Sequence, residues 1–280
     1  GYTAINKVLS YKFNFESLVL VVSILFTVPL FLFCSHLKRP YLSLSIAYPY
    51  YFVVVGMGPI RQSVAIAFVM LSIIYISKKE YNKFFLFSIL STLFHFSGII
   101  FSSIAIMNYD LFSKKKLYIT MTIIFFLTIF VLIFYNYEIV FPKVFHYISM
   151  YKSERINEAK SAILIWIVNF LPMTIYFKNI SKFKFNTVLR KIIIYFFIFE
   201  FLMFFLIFFN NVIAYRLLLY CFPLSIYISS YFPDLEIMKL KSKNITYSIM
   251  FLSFASLLFW LRFANHAYCW LPYKNIILNM

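Results

Sequence analysis

Residues Gly56 to Gly98 read GMGPIRQSVAIAFVMLSIIYISKKEYNKFFLFSILSTLFHFSG, and three of the chain's four glycines fall among them. Gly56-Met57-Gly58-Pro59 ends one apolar segment and starts another, because Pro59 suits a first helical turn and cannot continue a preceding helix. Arg61 then opens a helix whose following residues are almost wholly apolar. A helix N-terminus is positive through its unpaired N–H groups and macrodipole, so an arginine there is favoured only when an anion joins them. A Lys/Glu-rich turn from Lys78 to Lys83 reverses the chain, which climbs back to His95, Ser97 and Gly98. Arg61 and His95 are therefore the pair on which a functional reading centres.

Outward from this stretch, long apolar runs recur, with 63% apolar and 12% charged residues. A soluble domain would alternate or keep its apolar residues to one face. The pattern predicts an all-α, polytopic integral membrane protein. The net charge of +17 is spread over short loops between the apolar runs, which fits the positive-inside pattern and argues against a nucleic-acid partner. Cys34, Cys221 and Cys269 have no metal-ligand spacing and do not form a disulfide framework, so no metal or cofactor is expected. Without repeats or linkers, residues 1–280 read as a single domain. The start at Gly1, with no signal-peptide pattern, predicts that an N-terminal part precedes it.

Basic loops orient the predicted spans. The first, about Glu16 to Cys34, ends at the basic stop Lys38-Arg39, which predicts a cytoplasmic end. The second, Tyr41 to about Val55, runs out, and the third, Pro59 to Ser77, returns to Lys78, Lys79 and Lys83. Lys114 to Lys116 also read as cytoplasmic, yet only one apolar stretch, Phe84 to Met107, separates them from Lys83. A re-entrant hairpin turning near His95 to Gly98 reconciles the two clusters. Each leg has about 11 residues, roughly 16 Å or half a bilayer. Further spans are predicted at Leu117 to Tyr135, Ser161 to Phe177, Ile192 to Phe209, Val212 to Tyr231 and Ile245 to Phe263. The total is about eight full spans plus the hairpin. An external loop occupies Asn136 to Lys160.

On this topology Arg61, Arg155, Arg216 and Arg262 lie at the outer face, and only Arg39 and Arg190 lie inside. Lysine serves wherever positive charge suffices, so arginine outside points to a planar, bidentate partner such as phosphate. Arg216 repeats the logic of Arg61, since Asn210 and Asn211 are good N-caps for an outward-facing helix end. Two such ends suit a diphosphate; the plainer alternative is that both arginines reach lipid headgroups. Arg262, near the C-terminal end of its span, reads as structural. His95 is either a packed, hydrogen-bonded histidine or, beside a chain reversal, a working group. Glu200 stands mid-span and must face a partner or cavity. In the outer loop, Glu154, Arg155 and Glu158 accompany Tyr147 and Tyr151, a mixture that suits a sugar or an interfacial amphipathic helix.

The chain resembles the EpsG family, membrane proteins of exopolysaccharide assembly related to Wzy-type polymerases. The resemblance rests on GYTAINKVLS at the start, IRQSVAIAFVMLS around Arg61, LFHFSGII around His95, AYRLLLYCFPL around Arg216 and WLPYKN near the end. In that family an external Tyr/Gly/Asp-containing loop precedes the GY segment; these residues start at that segment, which predicts either a fragment or loss of the loop's function. The resemblance singles out Arg61, Gln62, His95 and Arg216. It implies extension of a lipid-linked exopolysaccharide, capsule or O-antigen on the outer face of a bacterial cytoplasmic membrane.

The two readings meet in one chemistry. By the resemblance the expected donor is a glycan on undecaprenyl diphosphate, with the diphosphate as leaving group. With no Asp-x-Asp cluster to hold a metal, Arg61, Gln62, Arg155 and Arg216 are expected to bind that diphosphate electrostatically. His95 is the first candidate for the base, and Glu154 or Glu158 the second. A flippase and a chain-length regulator are candidate partners beside membrane lipid. The rival readings are an O-antigen ligase, a polysaccharide or lipid transporter without transferase activity, and a membrane-bound O-acyltransferase.

Overall fold

The computed structural model describes residues 2–10, 15–107, 155–235 and 241–263. Every regular element among them is helical. Helix α1 (Tyr2–Ser10) is followed by α2 (Phe15–His36) and α3 (Pro40–Ala47), which runs directly into a π-helix over Tyr48–Val55. Then come α4 (Ile60–Ser77), α5 (Tyr81–Phe94), a 3-10 turn over Phe96–Gly98 and α6 (Ile99–Met107). After the undescribed stretch lie α7 (Arg155–Lys178), α8 (Thr187–Phe209), α9 (Asn211–Leu218), α10 (Phe222–Ser229) and α11 (Ser242–Phe263).

Helices α2, α4, α8 and α11 are long and apolar enough to cross a membrane, and α9 with α10 makes a fifth if that bent pair is one span. The expected count of about eight full spans is thus met only in part. Residues 40–55 and 162–178 are apolar but shorter, and the span expected at Leu117 to Tyr135 lies outside the described residues. Side chains that would be buried in a water-soluble bundle stand exposed along these helices, among them Ile24 and Phe31 of α2, Phe201 and Phe205 of α8, and Phe251 and Leu258 of α11. Such faces fit hydrocarbon rather than water. Helix α4 is the opposite case: its residues from Gln62 to Ala67 are all buried, and it packs against both α2 and α5.

The hairpin expected at His95 is present as a chain reversal. Ser102 Oγ of α6 donates to Ser88 O of α5 at 2.6 Å and lies 2.8 Å from Thr92 Oγ1, so the two legs run antiparallel. Small residues allow this close approach, as between helices in membranes generally. Gly98 is its tightest point, since an added Cβ would fall 2.7 Å from the Ser91 backbone carbon. The first leg, α5, has 14 residues, or about 21 Å at 1.5 Å per residue. It is longer than the sequence predicted, yet Phe94 packs on Phe68 rather than beside Arg61, so the turn stops short of the end of α4.

The span expected over Val212 to Tyr231 is broken ahead of Pro223, where α9 and α10 meet at 45°. Proline has no N–H to donate to the carbonyl four residues back, here Leu219 O. Tyr51 Oη donates to that carbonyl instead, and Asn169 Nδ2 donates to Leu218 O at 2.9 Å. Non-helical backbone at membrane depth survives only where such groups are met internally.

The helices share two ends. At one, Asp234 binds Arg39 at 2.6 Å and Lys38 at 2.7 Å, and Arg39 also reaches Ser242 at 3.3 Å. Lys182 Nζ donates to Leu235 O, and Asn186 Nδ2 to Ile76 O at 2.9 Å. Lys38, Arg39, Lys78, Lys79, Lys182, Arg190 and Lys241 are therefore gathered at this basic end. The opposite end holds the starts of α2, α4 and α9.

Two outcomes check this arrangement. Gly98→Ala should destabilise the detergent-solubilised protein by about 1–3 kcal/mol through overpacking against backbone, while Gly56→Ala, which meets only the Phe26 ring, should be rescued by Phe26→Leu; thermal denaturation measures both. Single cysteines at Gly58 and Asn210 should label from the same side of the membrane, and one at Lys79 from the other.

Candidate functional site

The end opposite the basic loops is built by α4, the hairpin turn, the π-helix and α9. Arg61 is exposed and lays its guanidinium 4.6 Å from the ring centre of Tyr2, so α1 covers one face of it. This is a cation–π contact that leaves the planar donors free at the edge. Gln62, one residue on, is 2% exposed, and its Nε2 donates to the backbone carbonyl of Arg216 at 2.5 Å. That single bond joins the start of α4 to a helix 154 residues later. Arg216 itself is half-buried.

The helix starts contribute less open backbone than the sequence reading required. Pro59 gives α4 no side-chain cap, but the N–H groups of Ile60, Gln62 and Ser63 are already taken by the carbonyls of Gly58 and Pro59. Asn210 caps α9 as expected, its Oδ1 accepting from Ile213 N at 3.0 Å. Any anion held here therefore meets guanidinium groups before it meets backbone N–H.

His95 is half-buried, in extended backbone after the last residue of α5. Its Nδ1 accepts from Ser97 N at 3.2 Å and lies 3.5 Å from Tyr220 Oη. Arg216 and Arg61 are the charged groups whose fields reach the ring. The structure thus gathers Arg61, Gln62, His95 and Arg216 at one place. Arg155 and Glu158 fall in the first turn of α7, which runs antiparallel to α8 through the Phe177–Phe197 and Trp166–Phe204 contacts, so its start shares this end. Glu154 lies outside the described residues.

Several residues here had no part in the sequence reading. The π-helix turns both Tyr50 and Tyr51 inward; Tyr50 Oη lies 2.7 Å from Tyr215 Oη, and Tyr51 holds the break after α9. With 23 tyrosines and 38 phenylalanines in the chain, aromatic residues carry little signal individually. The usable clue was the pair of prolines, Pro49 and Pro223, each beside aromatic residues in an apolar run. Deeper in the bundle Glu200 is fully buried; among the described residues no nitrogen or oxygen atom hydrogen-bonds its carboxyl oxygens, and the Cys221 thiol faces it. A separate apolar cavity of about 340 Å³ lies between α7, α10 and α11, lined by Leu164, Val168, Phe222, Ile249 and Phe259 among others. No group of three or more His, Cys, Asp or Glu that could hold a metal occurs among the described residues.

No curated protein and no solved structure matches the chain. A family model, that of the EpsG family, matches residues 1–275. With its apolar helices, this membership fits a membrane protein of polysaccharide biosynthesis. The bundle that ties Arg61 and Gln62 to Arg216 beside His95 is thus the fold of a chain that belongs to the EpsG family.

Proposed function

We infer that the protein is a polysaccharide polymerase, a glycosyltransferase that joins lipid-linked oligosaccharide repeat units on the outer face of a bacterial cytoplasmic membrane. One observation carries the reading: Gln62 locks the start of α4 to the Arg216 backbone, so two arginines distant in sequence share one end of the bundle with His95. That end lies away from the basic loops, which the positive-inside rule assigns to the cytoplasm. Arg61 and Arg216 supply planar donors suited to a diphosphate, and Arg155 at the start of α7 is a third. The apolar cavity between α7, α10 and α11 suits an isoprenoid chain such as that of undecaprenyl diphosphate.

In the reaction, an acceptor sugar hydroxyl attacks the anomeric carbon of the donor glycan. The bond from that carbon to the diphosphate oxygen breaks, and the diphosphate leaves with the bonding pair. Charge grows on the departing oxygen, where fixed cationic donors stabilise the transition state more than the ground state. The hydroxyl proton passes to a carboxylate, for which Glu154 and Glu158 beside Arg155 are the candidates. A flippase supplies the donor at this face and a chain-length regulator limits the product.

A second reading, transport without transfer, draws on the broken α9–α10 pair and on the buried Glu200, whose carboxyl faces the Cys221 thiol, an arrangement found in transporters. Glycan chain length separates the two. Arg61→Ala and Arg216→Ala should each lower polymer formation by about 10²–10³-fold, the cost of losing one transition-state donor, while single lipid-linked repeat units accumulate on the outer face. Unaltered polymer length in both variants overturns the polymerase reading; retention of the units on the inner face supports transport.

A further inference from the structure

His95 is the obvious base by residue type, but its surroundings assign it another task. The Ser97 backbone N–H, 3.2 Å from Nδ1, is a donor and nothing else, so Nδ1 must present its lone pair. Turning the ring over would put a C–H against that N–H and leave a donor unmet near the tip of a membrane hairpin. The Tyr220 hydroxyl, 3.5 Å from the same nitrogen, can donate to it as well. With Nδ1 accepting, the neutral ring carries its proton on Nε2. The charged groups facing the ring are Arg216 from α9 and Arg61 from α4, while Tyr220 faces it from the break after α9. A proton added at Nδ1 would meet the Ser97 N–H, so the fixed ring stays neutral. A ring fixed in this way has no free lone pair with which to take a proton from a sugar hydroxyl.

We propose that His95 is a fixed hydrogen-bond donor, whose Nε2–H is offered to an oxygen of the diphosphate leaving group held between Arg61 and Arg216. This rests on the polymerase reading for its ligand, but its tautomer does not. No covalent bond to His95 forms and its proton stays in place; the hydrogen bond tightens as the phosphate oxygen gains charge. Tyr220 and the Ser97 N–H are positioning groups that act through the ring.

The test has two parts on the full-length protein in lipid nanodiscs. In histidine-selective ¹⁵N NMR, the signal absent from His95→Gln should report protonated Nε2 and unprotonated Nδ1, unchanged between about pH 5.5 and 8, a window that spans the ordinary histidine value. A proton on Nδ1, or titration within that window, overturns the proposal whatever the protein's activity. In polymer assays with lipid-linked repeat units, His95→Gln, whose amide N–H reaches the Nε2 position, should keep activity within about tenfold of the wild type. His95→Phe should lose about 10²-fold, the cost of one donor. If His95 were the base, His95→Gln would fall by about 10²–10⁴-fold, and that result overturns the proposal. Equal activity of Gln and Phe variants also overturns it. Neither outcome touches the polymerase reading, which stands or falls on the arginine variants.

Discussion

A carbonyl oxygen cannot be left alone in hydrocarbon, and Leu219 has one that Pro223 is unable to serve. The Tyr51 hydroxyl answers it from the π-helix, and Asn169 answers its neighbour from α7. Much else hangs on these two donors. They let the chain stop helical after Leu218 and restart at Phe222, so Tyr220 faces His95. The same break keeps α9 short, with Asn210 capping its start and Arg216 one turn inside. The π-helix serves the arrangement in turn: both Tyr50 and Tyr51 are buried in it, with Tyr50 against Tyr215 and Tyr51 on the Leu219 carbonyl.

Charge is sorted along the bundle more strictly than by count. At the basic end Asp234 binds Lys38 and Arg39 together, Glu80 pairs with Lys83 at 2.7 Å, and Lys182 and Arg190 donate to backbone carbonyls. At the other end Arg61 rests on an aromatic face, a contact that holds its position without neutralising it. Cations kept in place but left charged are what an anionic ligand needs, since they are already oriented before it arrives.

The helical class and most helix limits could be read from the order of residues alone. Phe15–His36, Ile60–Ser77 and Thr187–Phe209 fall within a few residues of the apolar runs. The hairpin was legible because two basic clusters forbade a single crossing, and Arg61 with His95 because each is an unusual residue for its place. What escaped was set by contacts distant in sequence. Nothing local in Pro49-Tyr50-Tyr51 announces a π-helix, whose donor duty becomes visible only beside Leu219. Gln62 shows its role only when Arg216 stands opposite. His95 was legible as a special residue but not as a donor, because the nitrogen that accepts was decided by the backbone of Ser97.

The clamp at Asp234 bears on how the molecule is made. Its partner Arg39 precedes it by 195 positions, and Ser242, which the same guanidinium also reaches, follows by a few more. During synthesis Arg39 is therefore made well before the acid that holds it. Helix α4, buried from Gln62 to Ala67, packs on α2 and α5, both close to it in sequence. The seal at the basic end closes only once Asp234 and Ser242 have both been made.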